Sequence, residues 1–217
     1  MKQRICNNKI SKKQTLLLVA VILFIDQASK IYIKTHFELG QELKIFEGFR
    51  IYFIENEGMA WGAKLSDISS YISDSSAKLF LTIFRIFAVC GIGYWLYQSL
   101  QKTTSKILTV ALALVFSGAL GNIIDSVFYG VIFDGSLGQT ATLFASEGYG
   151  NLFHGKVVDM LYFPLFKGYF PEWLPFFGGN YFSFFDPVFN IADMAISTGV
   201  GLLLVFNKKV FPKSKTT

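Results

Sequence analysis

Acidic and amide side chains occur in stretches of this chain that are otherwise apolar. Lys30 follows Asp26 by four residues, and two Asn/Asp pairs each have a spacing of three. Residues three or four apart share one face of a helix, so the members of each pair can act together. Ionisable groups in such surroundings are costly to bury and are therefore functional candidates. The set comprises four aspartates and three asparagines: Asp26, Asp125, Asp159, Asp193, Asn56, Asn122 and Asn190.

Two carboxylates held close together in a poorly hydrated site can perform general acid–base catalysis. Like charges a few ångströms apart cannot both ionise cheaply, so such a pair shares one proton. One carboxylate accepts a proton from water and the other donates one to the departing group, which is chemistry that hydrolyses a peptide bond. The chain has two histidines and neither G-x-S-x-G nor H-E-x-x-H. We therefore expect no metal and no cofactor.

The composition indicates what kind of scaffold holds these groups. Hydrophobic residues make up 52% of the 217 and charged residues 16%, and the mean hydropathy is +0.44. These values favour an integral membrane protein. Four windows are apolar enough to cross a hydrocarbon core about 30 Å thick. They are residues 15–33, 79–97, 107–125 and 188–206, and they predict a mainly α-helical fold with four transmembrane helices in a single membrane domain, residues 1–217.

Lysine and arginine are distributed unevenly between the predicted spans. Both tails and the link after the second span are basic, which by the positive-inside rule places both termini in the cytoplasm. The loop 37–77 is acidic and is predicted to lie outside, together with the loop 127–187. The net charge of +5 then reflects orientation and anionic lipid, and we expect no nucleic-acid partner.

The first apolar stretch has a second interpretation. A basic tail followed by LLLVAVILFI also resembles a cleaved secretory signal peptide. Asp26 and Lys30 follow it, and no A-x-A-like cleavage site does. These features favour a retained span.

The two outer loops differ in predicted structure. The run KIFEGFRIYFIENEGMAWGA alternates in polarity and ends in a turn around Asn56 and Gly58, which predicts a hairpin or small extracytoplasmic β element. Residues 127–154 are rich in Gly, Ser and Thr and predict a long mobile loop. The aromatic, proline-rich segment after them suits the bilayer interface as a loop or helix.

All the polar groups reach one depth in the predicted bilayer. The pair at Asp26 lies toward the outer end of the first span, the pair at Asn122 closes the third, and the pair at Asn190 begins the fourth. At 1.5 Å per residue the last pair lies roughly 3–8 Å into its span. Loops that carry Asn56 and Asp159 enter the same level. The sequence therefore predicts one polar site near the outer face.

Each of these residues also has a purely structural explanation. The pair at Asp26 can be only an intrahelical ion pair, and the pair at Asn122 can simply end a helix at the interface. Asp193 can be a helix-start residue. Arg85 is expected to extend its charge toward the interface, and His154 to be solvated. None of these explanations accounts for four aspartates and three asparagines at one depth.

Five sequence blocks in order resemble lipoprotein signal peptidase, also called signal peptidase II. They are DQASK, NEGMAWG, GNIID, VVDM and FNIAD, within residues 15–206. The resemblance implies a multi-pass aspartic endopeptidase of the bacterial inner membrane. It would remove signal peptides from diacylglyceryl-modified prolipoproteins on the amino side of the lipidated cysteine. Prolipoproteins and membrane lipids are then the expected partners, and we expect a monomer.

The resemblance also implies a role for each matching residue. Asp159 in VVDM and Asp193 in FNIAD would be the catalytic pair. The substrate-binding or supporting residues would be Asp26, Lys30, Asn56, Gly58, Asn122, Asp125 and Asn190. A lipid-modified cysteine keeps its acyl chains in the membrane, so the adjacent peptide bond is presented at the interface. Water and carboxylates must meet it there.

The sequence departs from the family pattern in two places. The third block usually continues G-N-x-x-D-R, and Ser126 stands where the arginine would be. Arg85 and Lys156 are candidates to supply that charge. The segment between Asp125 and Asp159 is also longer than the family normally has, which leaves the shape and gating of the outer loop open.

Two other classes of function compete with a peptidase. A small proton-coupled transporter would also carry intramembrane Asp and Asn residues, but it would spread them through the bilayer depth. The inner halves of the predicted spans carry almost none. An assembly scaffold would use its acidic groups only to hold helices together, so Asp→Asn changes would impair folding more than activity.

Overall fold

The computed structural model describes residues 10–57, 73–102, 104–164, 166–184 and 187–211, so Gly58 lies outside the described residues. The helices in these ranges are α1 Lys12–His36, α2 Asp74–Gln101, α3 Lys106–Ile124, α4 Gly130–Ile132, α5 Ile191–Val205 and α6 Asn207–Val210. A π-helical turn, Asp125–Tyr129, joins α3 to α4. The strands are β1 Glu42–Phe46, β2 Phe49–Asn56, β3 Val157–Tyr162, β4 Phe166–Tyr169, β5 Tyr181–Phe184 and β6 Val188–Phe189.

Helices α1, α2 and α3 are long apolar segments that begin at serine caps. Ser11, Ser73 and Ser105 each accept a bond from a first-turn backbone N–H, which has no partner within the helix. Each helix is long and apolar enough to cross a membrane, which confirms three of the predicted helices. The fourth, α5, has only 15 residues. It is shorter than the predicted span 188–206 because β6 and the cap residue Asn190 precede it.

Helix α3 lies at the centre of the helical part and packs against α1, α2 and α5. Glycines allow α3 and α5 to approach closely. Gly118 of α3 faces the backbone of Ala192, and a Cβ atom on Gly199 of α5 would lie 2.7 Å from the carbonyl oxygen of Ala111. Small residues at a helix contact bring backbones together, as is common in membrane proteins. The contact of Gly118 with Ala192 fixes the first turn of α5 against the C-terminal half of α3.

Strands β1, β2, β3 and β6 form one antiparallel sheet in that order. The predicted hairpin is confirmed as β1–β2. The prediction that Asp159 lies in a loop is wrong, because strand β3 pairs with β2 and places Asp159 opposite Ile54. Val158 and Met160 on the other face of β3 are buried in a hydrophobic cluster. A buried backbone needs partners for its N–H and C=O groups, and the β2–β3 pairing supplies them.

The aromatic segment predicted as an interfacial loop or helix instead contains a β-hairpin. Strands β4 and β5 pair antiparallel from Phe166↔Phe184 to Tyr169↔Tyr181. A backbone hydrogen bond closes the connection between the two strands: Gly179 N donates to the carbonyl oxygen of Phe170. Aromatic residues favour strands, and Gly179 adopts a positive φ of 76° that suits a turn. Local strand preference therefore outweighs the irregular structure suggested by the prolines.

The segment after α4 is packed against the rest of the molecule, contrary to the predicted long mobile loop. Ser136 and Ala141 are buried, and Phe133 lies in the hydrophobic cluster with Val158. Backbone hydrogen bonds tie the segment to the end of α1: Leu39 N donates to Ser136 O, and Ala141 N donates to Lys34 O. The Gly- and Ser-rich composition suggested mobility because it does not reveal these long-range contacts.

Candidate active site

Asp159 and Asp193 come from different elements and are joined by Asn190. Asp159 lies on β3, and Asp193 lies in the first turn of α5. Asn190 caps that helix: its Oδ1 accepts from the backbone N–H of Asp193 (2.9 Å), and its own backbone N–H donates to Asp193 Oδ2 (3.2 Å). The same residue donates from Nδ2 to Asp159 Oδ1 (2.6 Å). One asparagine therefore positions both carboxylates.

Two further asparagines also donate hydrogen bonds to Asp159 and Asp193, which we call the acid pair. Asn122 of α3 donates from Nδ2 to Asp193 Oδ1 (2.9 Å). Asn56, at the end of β2, donates from Nδ2 to Asp159 Oδ2 (3.2 Å). Asn190 also donates to Asn122 Oδ1 (3.2 Å), which closes the network between α3 and α5. The amide groups hold the carboxylates in place and do not themselves exchange protons near neutral pH.

A buried ammonium group is linked to the acid pair through Asn122. Lys30 Nζ contacts Asp26 Oδ2 at 2.9 Å, Asp125 Oδ2 at 2.8 Å and Asn122 Oδ1 at 2.8 Å. Lys30, Asp26 and Asp125 are all fully buried. We call these three residues the charged triad. The i,i+4 ion pair expected within α1 is present, and the triad extends it to α3 and the π-helical turn.

The triad also fixes the backbone of two neighbouring elements. Asp26 Oδ1 accepts from the backbone N–H of Ala192 (2.9 Å), in the first turn of α5. Asp125 Oδ2 accepts from the backbone N–H of Val158 (3.4 Å), the residue before Asp159. The elements that carry Asp193 and Asp159 are therefore both tied to the triad. Asp26 therefore does more than form an intrahelical ion pair, and Asp125 does more than end a helix.

Gln27 takes part in the site although the sequence reasoning gave it no role. Its Nε2 donates to Asp125 Oδ1 (2.9 Å) and to the carbonyl oxygen of Gly121 (3.2 Å). Tyr129 OH donates to Gln27 Oε1 (3.2 Å). The available signal was a second polar residue directly after Asp26 in an apolar helix. Tyr129 had no comparable signal, because its position depends on the π-helical turn.

The two carboxylates of the acid pair differ in environment. Asp159 is 2% exposed, whereas Asp193 is only partly buried. Burial and the negative charge of Asp193 raise the pKa of Asp159 from an ordinary 3.8 to about 7, and the amide bonds from Asn56 and Asn190 oppose that rise. Asp193 lies at a helix N-terminus, where the backbone dipoles present partial positive charge. The environment of Asp159 therefore favours its protonated form.

The residues considered as substitutes for the family arginine have separate positions. Ser126 is buried and donates to the carbonyl oxygen of Asn122 (2.9 Å), within its own helix. Arg85 of α2 interacts electrostatically with Asp193. Lys156 Nζ lies 3.5 Å from carboxylate oxygens of Glu55 and Glu57. Arg85 is thus the candidate that faces the site.

His154 is half-buried rather than solvated, because its ring nitrogens contact Ser75 Oγ and the carbonyl oxygen of Leu152, both at 2.9 Å. Across the ranges that the structure describes, no three His, Cys, Asp or Glu residues are grouped so that they could hold a metal ion.

Long apolar helices, a small sheet and a buried acid–amide cluster define an integral membrane protein with a paired-carboxylate site. The chain belongs to the signal peptidase II family: the family model described as "Signal peptidase (SPase) II" matches residues 18–208. This result confirms the resemblance found in the sequence.

Named relatives agree with this assignment. The chain is 49% identical over 190 residues to a lipoprotein signal peptidase from Porphyromonas gingivalis, covering 87% of this chain and 80% of that protein. It is 34% identical over 204 residues to one from Amoebophilus asiaticus, covering 91% and 78%. A bacterial membrane enzyme solved by the in meso method has the same fold, with a TM-score of 0.59, 22% identity, and coverage of 97% and 99%. None of these comparisons supports the transporter interpretation.

Replacement of Lys30 by methionine should strongly destabilise the protein. The variant leaves the buried carboxylates of Asp26 and Asp125 without their cation, and breaking a buried ion pair in this way typically costs about 3–5 kcal/mol. We expect a large drop in the thermal unfolding temperature of the purified protein in detergent. Lys44→Met, which breaks a solvent-exposed ion pair with Glu47, is the matched control and should change little. Equal unfolding temperatures for the two variants would contradict a central role for the triad.

Proposed function

We propose that this chain is an aspartic endopeptidase that removes signal peptides from diacylglyceryl-modified prolipoproteins on the amino side of the lipidated cysteine. Membership of the signal peptidase II family supports the reaction and the substrate class. The observation that carries the aspartic type is the acid pair itself. Asn190 joins a buried Asp159 to a more exposed Asp193 through its own hydrogen bonds.

In the proposed mechanism Asp193 is the general base and Asp159 the general acid. Asp193 accepts a proton from water as the water oxygen bonds to the scissile carbonyl carbon. Asp159 then gives its proton to the amide nitrogen as the C–N bond breaks. The signal peptide leaves with a new carboxyl group, and the lipidated cysteine leaves with a free amino group. Proton transfer from Asp193 back to Asp159 through water restores the starting state.

The remaining polar residues support this pair in the proposal. Asn56, Asn122 and Asn190 orient the two carboxylates or the substrate backbone through amide hydrogen bonds. Asp26, Lys30 and Asp125 hold the elements that carry them. Gly58 is assigned to substrate binding through the family resemblance alone. The proposal includes no metal and no cofactor.

We further propose four spans, with both termini in the cytoplasm and the sheet and acid pair near the outer face of the bacterial inner membrane. The lysine distribution supports this orientation. Helix α5 rises only about 22 Å at 1.5 Å per residue, and α6 follows it directly to complete the fourth crossing. We propose that the chain acts as a monomer and as one membrane domain.

Cysteine labelling in intact cells tests the orientation. In a chain with Cys6 and Cys90 replaced by serine, single cysteines replace the exposed residues Gln139 or Lys208. We expect an impermeant thiol reagent to label the cysteine at 139 and to label the one at 208 only after the membrane is opened. The reverse pattern would place the acid pair on the cytoplasmic face and contradict the proposed substrate access.

Asp159→Asn and Asp193→Asn should each abolish detectable cleavage. Asparagine preserves size but cannot cycle a proton, and a general acid or base contributes about 10²–10⁴-fold. The double variant should be little worse than either single one, because the two residues act as one unit. The measurement is the mass of the products from purified protein with a diacylglyceryl-modified prolipoprotein, and an unmodified prolipoprotein is the substrate control.

Asp125→Asn is the matched control variant, since Asp125 holds Lys30 and Gln27 but does not contact the reacting bond in this mechanism. We expect a smaller loss, from misplacement of its neighbours. An inactive Asp125→Asn together with substantial turnover by Asp159→Asn would show that the acid pair is wrongly assigned.

Cleavage should fall as the pH rises through about 7. Burial and the charge of Asp193 raise the pKa of Asp159 to about 7, so Asp159 holds its proton below that pH and loses it above. A general acid is active in its protonated form, so kcat/KM should decline about tenfold per pH unit on the alkaline side. Initial rates measured from about pH 5 to about pH 9 check this. A rate that increases through this range would instead make Asp159 the base.

A further inference from the structure

A second buried ion pair lies outside the acid pair and the charged triad. Lys34, near the end of α1, pairs with Glu55 of β2, and the side chains are 1% and 7% exposed. Ser136 Oγ lies between them: it accepts from Lys34 Nζ (2.8 Å) and donates to Glu55 Oε1 (2.9 Å). The proposed mechanism uses none of these three residues.

Aromatic rings surround the ammonium group of Lys34. Its Nζ lies 4.8 Å from the ring centre of Tyr149, 5.4 Å from that of Phe133 and 5.9 Å from that of Phe53. A cation over aromatic faces is attracted to them, more strongly where water is excluded. The charge of Lys34 is thus fixed on several sides, and Glu55 is held with it.

Glu55 is the neighbour of Asn56 on β2, and this adjacency connects the ion pair to the acid pair. Successive side chains of a strand point to opposite faces of a sheet. Glu55 therefore points into the interior toward Lys34, while Asn56 points to the other face and donates to Asp159 Oδ2 at 3.2 Å. The two residues lie opposite Val158 and Val157 of β3. Fixing Glu55 fixes the backbone from which Asn56 reaches Asp159.

Ion pairs also hold the chain on the other side of Asn56. Lys156, directly before β3, lies 3.5 Å from both Glu55 and Glu57. Glu57 pairs in turn with Lys78 of α2. Burial acts to raise the pKa of Glu55, but the charge of Lys34 and hydrogen bonds from Lys34 and Ser136 outweigh it and keep the pKa below its ordinary value. Both glutamates flanking Asn56 are therefore paired carboxylates.

We infer that Lys34 and Glu55 are positioning residues for peptide hydrolysis: they hold the end of β2 so that Asn56 keeps its hydrogen bond to Asp159. The inference rests on the proposed function and assigns a role that the matched sequence blocks do not. A purely stabilising ion pair would change the amount of folded protein but not the proton affinity of Asp159. The two roles therefore differ in the pH dependence of the folded enzyme.

The expected direction follows from the groups that face Asp159. Among the described residues they are Asn56 from β2, Asn190 at the cap of α5, Asp193 from α5 and Lys30 from α1. The bond from Asn56 favours the ionised carboxylate, so its loss raises the pKa of Asp159. In the proposed mechanism the alkaline limit of activity is the loss of the Asp159 proton. Weakening the Asn56 contact therefore moves that limit to higher pH.

The experiment compares pH profiles of kcat and KM for folded, purified variants acting on a diacylglyceryl-modified prolipoprotein. Glu55→Gln keeps the size of the side chain and removes its charge. We expect kcat to fall about tenfold through misplacement of Asn56, with KM nearly unchanged and the alkaline limb shifted upward. Glu42→Gln, which breaks the exposed pair of Glu42 with Arg50 on the same hairpin, is the control and should keep the parent profile.

A second pair of variants shows whether the effect passes through Asn56. Asn56→Ala should shift the alkaline limb by itself, and Glu55→Gln should add little in that background, because the contact it supports is already absent. If Glu55→Gln does not fold, Lys34→Met/Glu55→Met replaces it. That variant removes both charges and leaves neither unpaired, a change that buried ion pairs often tolerate.

Three outcomes would overturn the inference. They are a parent-like pH profile in folded Glu55→Gln, a parent-like profile in folded Lys34→Met/Glu55→Met, and full additivity with Asn56→Ala. The parent protein and Asp159→Asn are assayed alongside. Failure of the parent to cleave would reject the proposed function itself. If the parent cleaves and Asp159→Asn does not, any of the three outcomes rejects only the role assigned to Lys34 and Glu55.

Discussion

The rest of the site depends on the ion pairs that the buried ammonium group of Lys30 forms. One cation faces two carboxylates, those of Asp26 and Asp125, and all three are removed from water. Such burial is tolerable only where the remaining lone pairs find donors. The donors come from elsewhere in the fold: Gln27 and the backbone N–H groups of Ala192 and Val158. Meeting these hydrogen-bonding needs brings α1, α3, α5 and β3 together at one point.

This arrangement separates the structural acids from the acids proposed to react. Asp26 and Asp125 are paired with a cation, so their charge is compensated before substrate arrives. Asp159 and Asp193 accept amide hydrogen bonds instead, and amides orient a carboxylate without competing for its proton. One cluster of four aspartates thus contains two that contact a buried cation and two that accept hydrogen bonds from amides. Spacing along the chain alone does not distinguish them.

Local pattern predicted the parts of this fold that depend on near neighbours, and it failed where distant contacts decide. Helical spacing correctly paired Asp26 with Lys30, and apolar windows located three long helices. The strand at Asp159 was missed because its conformation depends on pairing with β2, about one hundred residues earlier, as the 103-residue separation of Asn56 and Asp159 shows. The burial of Lys34 could not be predicted for the same reason. A lysine at a helix end normally reaches water, and only the folded chain brings Glu55 and aromatic rings to it.

The π-helical turn at Asp125 links the two buried cations. A π-helical turn has a wider hydrogen-bond spacing than an α-helix and rotates the side chains that follow it. Tyr129 is the last residue of this turn. Its hydroxyl donates to Gln27, which contacts the triad, and its ring centre lies 4.9 Å from that of Phe133. Phe133 also faces the ammonium of Lys34. A single fully buried tyrosine thus contacts a residue beside each of the two charges. Because packed interiors leave little free volume, both buried cations depend on the packing of the same two aromatic rings.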